Sequence, residues 1–255
     1  MKYVADYVHS KGLKFGIYSC AGKLTCEKRP GGLGHEYQDA RTYASYGVDY
    51  LKYDWCNSSS QDAKSSYANM RDALFAAGRP IVFSICEWGS NKPWEWAGET
   101  GHLWRTTGDI GDNWNSMINI FNQQKDLARY AGPGRWNDPD MLVVGWVGWG
   151  PSLHPSRLTP DEQYTHISLW CMLSAPLLIG CDLERLDDFT LNLLTNDEVL
   201  ALDQDPLGNQ AVPILKTENI QVWVKNLKDG KKAVGIFNLG ENPEIYSSQV
   251  LLNQG

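Results

Sequence analysis

Over its first two hundred residues the chain alternates two hydrophobic patterns. Short runs that are apolar almost throughout give way to longer stretches with apolar residues on a helical spacing. The short runs fall at 13–19, 48–54, 80–88, 103–109, 135–143 and 175–180. Between them, residues 4–14 (closed by Gly12), 37–46 (ended by Gly47), 59–77 (stopped at Gly78), 113–131, 159–174 and 191–202 read as helices. Thr159, Pro160, Asp161 and Glu162 supply a cap and an acidic first turn. Strands that are apolar on both faces belong to a parallel sheet covered on both sides. The pattern is therefore a βα repeat with six strands.

A doubly wound sheet and a (β/α)₈ barrel both fit such a repeat, and the polar residues favour the barrel. Tyr18, Asp54, Glu87, Asp109 and Asp140 end different strands, and in a barrel those ends converge on one face where sites are built. The Gly-rich turn that a doubly wound nucleotide fold places after its first strand is missing. After about residue 212 the texture changes to strand, turn and strand at 219–227, 228–232 and 233–240. The expected organisation is a barrel domain over 1–210 and the start of a small antiparallel β-domain over 211–255. Six strands are two short of eight, so a chain lacking the first barrel strands and most of the β-domain is expected.

Composition narrows the partners. The 255 residues are 42% apolar and 21% charged, as in globular proteins. Eleven tryptophans and 12 tyrosines suit either a core or a sugar cleft, where flat rings stack on pyranose faces. A net charge of −7 without a basic run argues against nucleic acid and anionic membrane surfaces. No apolar stretch approaches the ~18 residues of a membrane span. The sequence sets no oligomeric state.

The chemistry points to carboxylates. Asp54, Glu87, Asp109 and Asp140, with Lys52 and Arg105 beside them, form a set that capping roles alone do not explain. Paired carboxylates in unlike environments let one act as acid while another stays ionised, which glycoside hydrolysis requires. Six cysteines without CxxC spacing, and five histidines without HxH or HExxH spacing, argue against a metal, and no cofactor is implied. A GxSxG elbow is absent. Cys20 and Cys86 read better as small buried groups than as nucleophiles.

Six blocks in order, "YLKYDWCN", "CEWG", "WRTTGDIGDNW", "AGPGRWNDPDMLVVG", "APLLIGCDL" and "DQDPLG", resemble the melibiase, or α-galactosidase, family of retaining glycosidases (family 27). They cover residues 1–210. The resemblance implies a (β/α)₈ barrel followed by a small β-domain. It implies Asp54 as nucleophile and Asp109 as general acid/base, with Tyr18, Lys52, Glu87, Arg105 and Asp140 around the sugar. It also implies a Cys26–Cys56 disulfide. Lys52, two residues from Asp54 on the same strand face, favours the ionised nucleophile. Burial and the charge of Asp54 would favour a protonated Asp109. Retention calls for about 5–6 Å between the two carboxyl groups.

The resemblance implies hydrolysis of terminal α-galactosides. Relatives that prefer N-acetylgalactosamine carry a small residue where Glu87 stands, so galactose is favoured here. β-L-Arabinopyranoside, N-acetylgalactosaminide and a fragment that only binds sugar remain as alternatives. The disulfide points to a secreted, periplasmic or lysosomal protein. The family's tryptophan and paired-aspartate block is not in this chain, and Gly101 stands where a cysteine partner for Cys86 would. The insert at 145–158 is longer than in many relatives and carries Trp146 and Trp149, either as sugar platforms or as barrel packing.

Overall fold

A computed structural model describes residues 1–245. The expected start of a β-domain over 211–255 therefore lies partly outside the described residues.

Chain order runs α1 (Lys2–Ser10), β1 (Gly16–Cys20), α2 (Glu36–Tyr46), β2 (Tyr50–Asp54), α3 (Ala63–Ala76), β3 (Val82–Cys86), β4 (Leu103–Arg105), α4 (Trp114–Gln123) and β5 (Trp136–Asp138). The five strands pair in sequence order, every pair parallel. Such an order, with helices between strands, is an arc of a (β/α)₈ barrel wall. Tyr18, Lys52 and Ser84 lie in one register row, and Cys20, Asp54 and Cys86 lie two rows up. Side chains alternate across each strand, so Lys52 and Asp54 share a face.

The insert forms a short hairpin, β6 (Trp146–Val147) with β7 (His154–Pro155). Then follow α5 (Pro160–Leu173), α6 (Asp188–Leu194) and α7 (Asp197–Asp203). Helix α5 opens with the expected cap, and the structure makes it a capping box, in which Thr159 accepts from the Glu162 backbone and Glu162 accepts from that of Thr159. An antiparallel sheet of β8 (Val212–Lys216), β9 (Ile220–Asn226) and β10 (Lys232–Asn238) closes the described chain. The pattern anticipated β9 and β10 but not β8, which pairs with β9 through a register shift at Pro213.

Two expectations are corrected. The sixth strand, 175–180, forms only one parallel bridge, Leu142 to Ile179. Pro176 has no N–H to give a ladder, and Ile179 is exposed. The helix expected at 191–202 is two helices, because Asn196 stops one and caps the next by accepting from the Val199 backbone.

Candidate active site

The strand ends deliver most of the expected residues to one face. Asp54 closes β2 and is buried, and its Oδ1 accepts from the Trp55 backbone at 2.8 Å. Tyr18, in the row of Lys52, lies near Asp54 and donates to Cys26 Sγ at 3.2 Å. Burial, then the charge of Asp54, pushes its phenol upward. Cys26 and Cys56 are joined as a disulfide, so the loops after β1 and β2 are tied beside Asp54. Cys26, Asp54 and Cys56 are the one group among the described residues whose donor atoms crowd as metal ligands do. The disulfide leaves no thiolates there for a metal.

Arg105, at the end of β4, is the hub. Its guanidinium is buried and reaches Asp140 Oδ2 at 2.9 Å and Asp109 Oδ1 at 3.1 Å. It also donates to the Thr107 carbonyl. All three acceptors meet the same nitrogen, Nη2, so one end of the guanidinium ties both loops together.

Asp140 is more tightly held than its place in a sugar pocket suggested. Its backbone is left-handed, with φ of 85°, which costs on the order of 1–3 kcal/mol outside glycine. Surrounding bonds hold it there. Oδ1 accepts from Met141 N, Oδ2 from Ile110 N, its own N–H donates to Asp138 Oδ1, and its carbonyl accepts from Trp170 Nε1. Asp140 thus fixes the loop that carries Asp109.

Asp109 departs from expectation in its burial. Asp109 is not buried; its side chain is 80% exposed, with Arg105 as its partner. Glu87 lies past the end of β3 and is fully buried. Its Oε2 accepts from both the backbone and the side chain of Asn91, each at 2.6 Å. Its Oε1 is buried with no partner among the described residues. Burial raises Glu87, against the pull of the Asn91 bonds. The next residue, Trp88, is also left-handed at φ 59°.

Asp138 joins the site without having been among the expected residues. It pairs in register with Arg105 and is buried, and burial pushes it up to about 6 against the pull of Arg105 and Lys52. Its signal was the D-x-D spacing in "NDPD", which puts Asp138 and Asp140 at one strand end. Cys86 is a buried thiol as expected, raised by burial and by the charge of Asp54.

The family model described as Alpha galactosidase A matches residues 1–205. An alpha-galactosidase of Cyamopsis tetragonoloba is 52% identical over all of this chain and 61% of its own length. The alpha-galactosidase A of Cellvibrio japonicus is 48% identical over 96% of this chain and 61% of its own. The crystal structure of alpha-galactosidase I from Mortierella vinacea superposes with a TM-score of 0.87 at 34% identity. That match covers 94% of this chain and 64% of the other. The chain thus spans about three-fifths of the length of the curated relatives it matches.

Proposed function

The chain belongs to the alpha galactosidase A family, and from that premise we propose that it carries the catalytic centre of a retaining α-galactosidase. One observation carries the reading. Asp54 and Arg105 end the parallel strands β2 and β4, Asp109 and Asp140 lie in the loops just past β4 and β5, and one guanidinium joins Asp109 to Asp140.

The reaction has two displacements. Asp54 attacks the anomeric carbon while Asp109 gives its proton to the departing glycosidic oxygen, and the C–O bond to the aglycone breaks. Asp109 then takes a proton from water, the hydroxide oxygen attacks the same carbon, and the ester to Asp54 breaks. Two inversions leave galactose with its configuration retained. Arg105 orients Asp109 throughout, and the exposure of that carboxyl leaves it free to meet both leaving group and water.

Lys52 and Tyr18 flank Asp54 as donors to sugar hydroxyls. Glu87 keeps one acceptor, Oε1, unpaired, and an unpaired buried acceptor is costly. A 2-hydroxyl satisfies it if the turn from Glu87 to Asn91 opens. This favours galactose over N-acetylgalactosamine. The disulfide favours an extracytoplasmic location. No described helix is long and apolar enough to cross a membrane.

The test is hydrolysis of nitrophenyl α-galactoside followed by NMR of the first-formed anomer. Turnover with an α-anomer product is expected, and Asp54→Ala should lower the rate by at least about 10³-fold. An initial β-anomer, or full turnover in Asp54→Ala, would sink the assignment.

A further inference from the structure

The insert between β5 and α5 is unassigned by the mechanism, and its anchoring is specific. Asp112, three residues beyond Asp109, is buried and receives the Arg157 backbone N–H, its guanidinium and, at 3.1 Å, His154 Nε2. Burial alone would raise Asp112. The bonds from Arg157 and His154 outweigh it and hold the carboxyl at about 2. The β6–β7 hairpin is thereby fastened to the loop that carries Asp109.

Its two tryptophans differ. Trp146 is committed to packing, with the Arg185 guanidinium 4.7 Å from its ring centre and its carbonyl accepting from Asp182 N. Trp149 is 76% exposed at the hairpin tip. The tip is fixed by Gly148, at φ 95°, where a Cβ would sit 2.4 Å from the Ser152 carbonyl oxygen. His154 Nδ1 bonds that same carbonyl. A large flat ring held out on a tight, anchored turn binds with little ordering cost.

We propose that Trp149 is the platform for a saccharide aglycone, stacking on the pyranose next to the scissile bond. The inference rests on the role of Asp109 proposed above. A general acid protonates the leaving oxygen, so the aglycone lies beside Asp109, and the hairpin is tied to the same loop three residues farther on, at Asp112. The ligand class is an α-galactoside whose aglycone is itself a pyranose, rather than an alkyl group.

The experiment compares two ligands in the full chain carrying Asp54→Asn, which removes turnover. Intrinsic fluorescence titrates methyl α-galactoside and the disaccharide α-galactosyl-(1→6)-glucose. Trp149→Ala should weaken the disaccharide about tenfold more than the methyl glycoside, and Trp149→Phe should recover most of the difference. An equal effect on both ligands, or none on the disaccharide, overturns the platform while leaving the galactosidase reading standing. Binding of neither ligand before Trp149 is changed overturns both. Selective binding without hydrolysis in the unsubstituted chain keeps the platform and rejects the catalytic reading.

Discussion

Arg105 and Asp109 separate structural from chemical importance at the level of single residues. Arg105 is buried against Asp140, whose loop depends on it. Arg105→Met leaves that carboxylate buried and unpaired, which costs about 3–5 kcal/mol. Denaturant unfolding should show the loss, and a change below about 0.5 kcal/mol would mean that Asp140 is held by its backbone donors alone. Asp109→Asn removes an exposed partner of the same guanidinium. It should move stability by less than about 0.5 kcal/mol while reducing hydrolysis of an alkyl galactoside at least about 10³-fold. Normal turnover in Asp109→Asn would remove it as the acid. The chemistry-bearing residues were legible in the sequence because polar side chains stand out at the ends of apolar strands. The commitments of Asp140 and Glu87 were not, since they depend on partners thirty residues away or on a turn whose geometry no spacing reveals.

Helices and strands differ in how plainly they announce themselves. Helix α5 was legible because Thr159 and Glu162 make a reciprocal cap that depends on neighbours in sequence. The 175–180 run read as a strand by composition, but strand formation requires a partner along its length, and only Leu142 provides one. Helix α5 also buries His166 completely, and its Nε2 accepts from Val143 N. Burial lowers His166 from 6.5 to about 3. The sign follows from proton counting. Between pH 3 and 6.5 the unfolded chain binds the proton and the fold does not, so stability falls as pH drops through that window. His166 contributes a pH dependence of several kcal/mol across it. His166→Gln should flatten thermal-unfolding midpoints between pH 4 and 6.5 relative to the unaltered chain. Parallel profiles for the two would show that His166 is not the group that titrates.

At the scale of the whole molecule, the antiparallel sheet is docked on the barrel helices by one buried cation. Lys225 on β9 donates to the Cys171 carbonyl at 3.0 Å, to Ser174 Oγ at 2.6 Å and to the Leu202 carbonyl. These acceptors end α5 and α7, where helix carbonyls lack partners and a positive charge is welcome. Trp223 of the same strand lies against Phe121 of α4, ring centres 4.4 Å apart. The aromatic contact supplies apolar burial, but it does not fix orientation as three converging acceptors do. Nothing in the local sequence marked Lys225 for burial, because "QVWVKNL" reads as an ordinary strand whose lysine belongs outside. Lys225→Met keeps the length of the side chain and removes its donors, so the Leu202 carbonyl loses its lysine partner while the Cys171 carbonyl keeps the Ser174 N–H and Ser174 Oγ keeps Asn209. The expected cost is about 3 kcal/mol, concentrated where the sheet meets α5. Limited proteolysis should therefore cut near residue 211 in Lys225→Met at denaturant concentrations that leave 1–205 intact. Cleavage at the same rate in both forms would mean that Trp223 and Phe237, packed on Phe121, hold the sheet without the lysine.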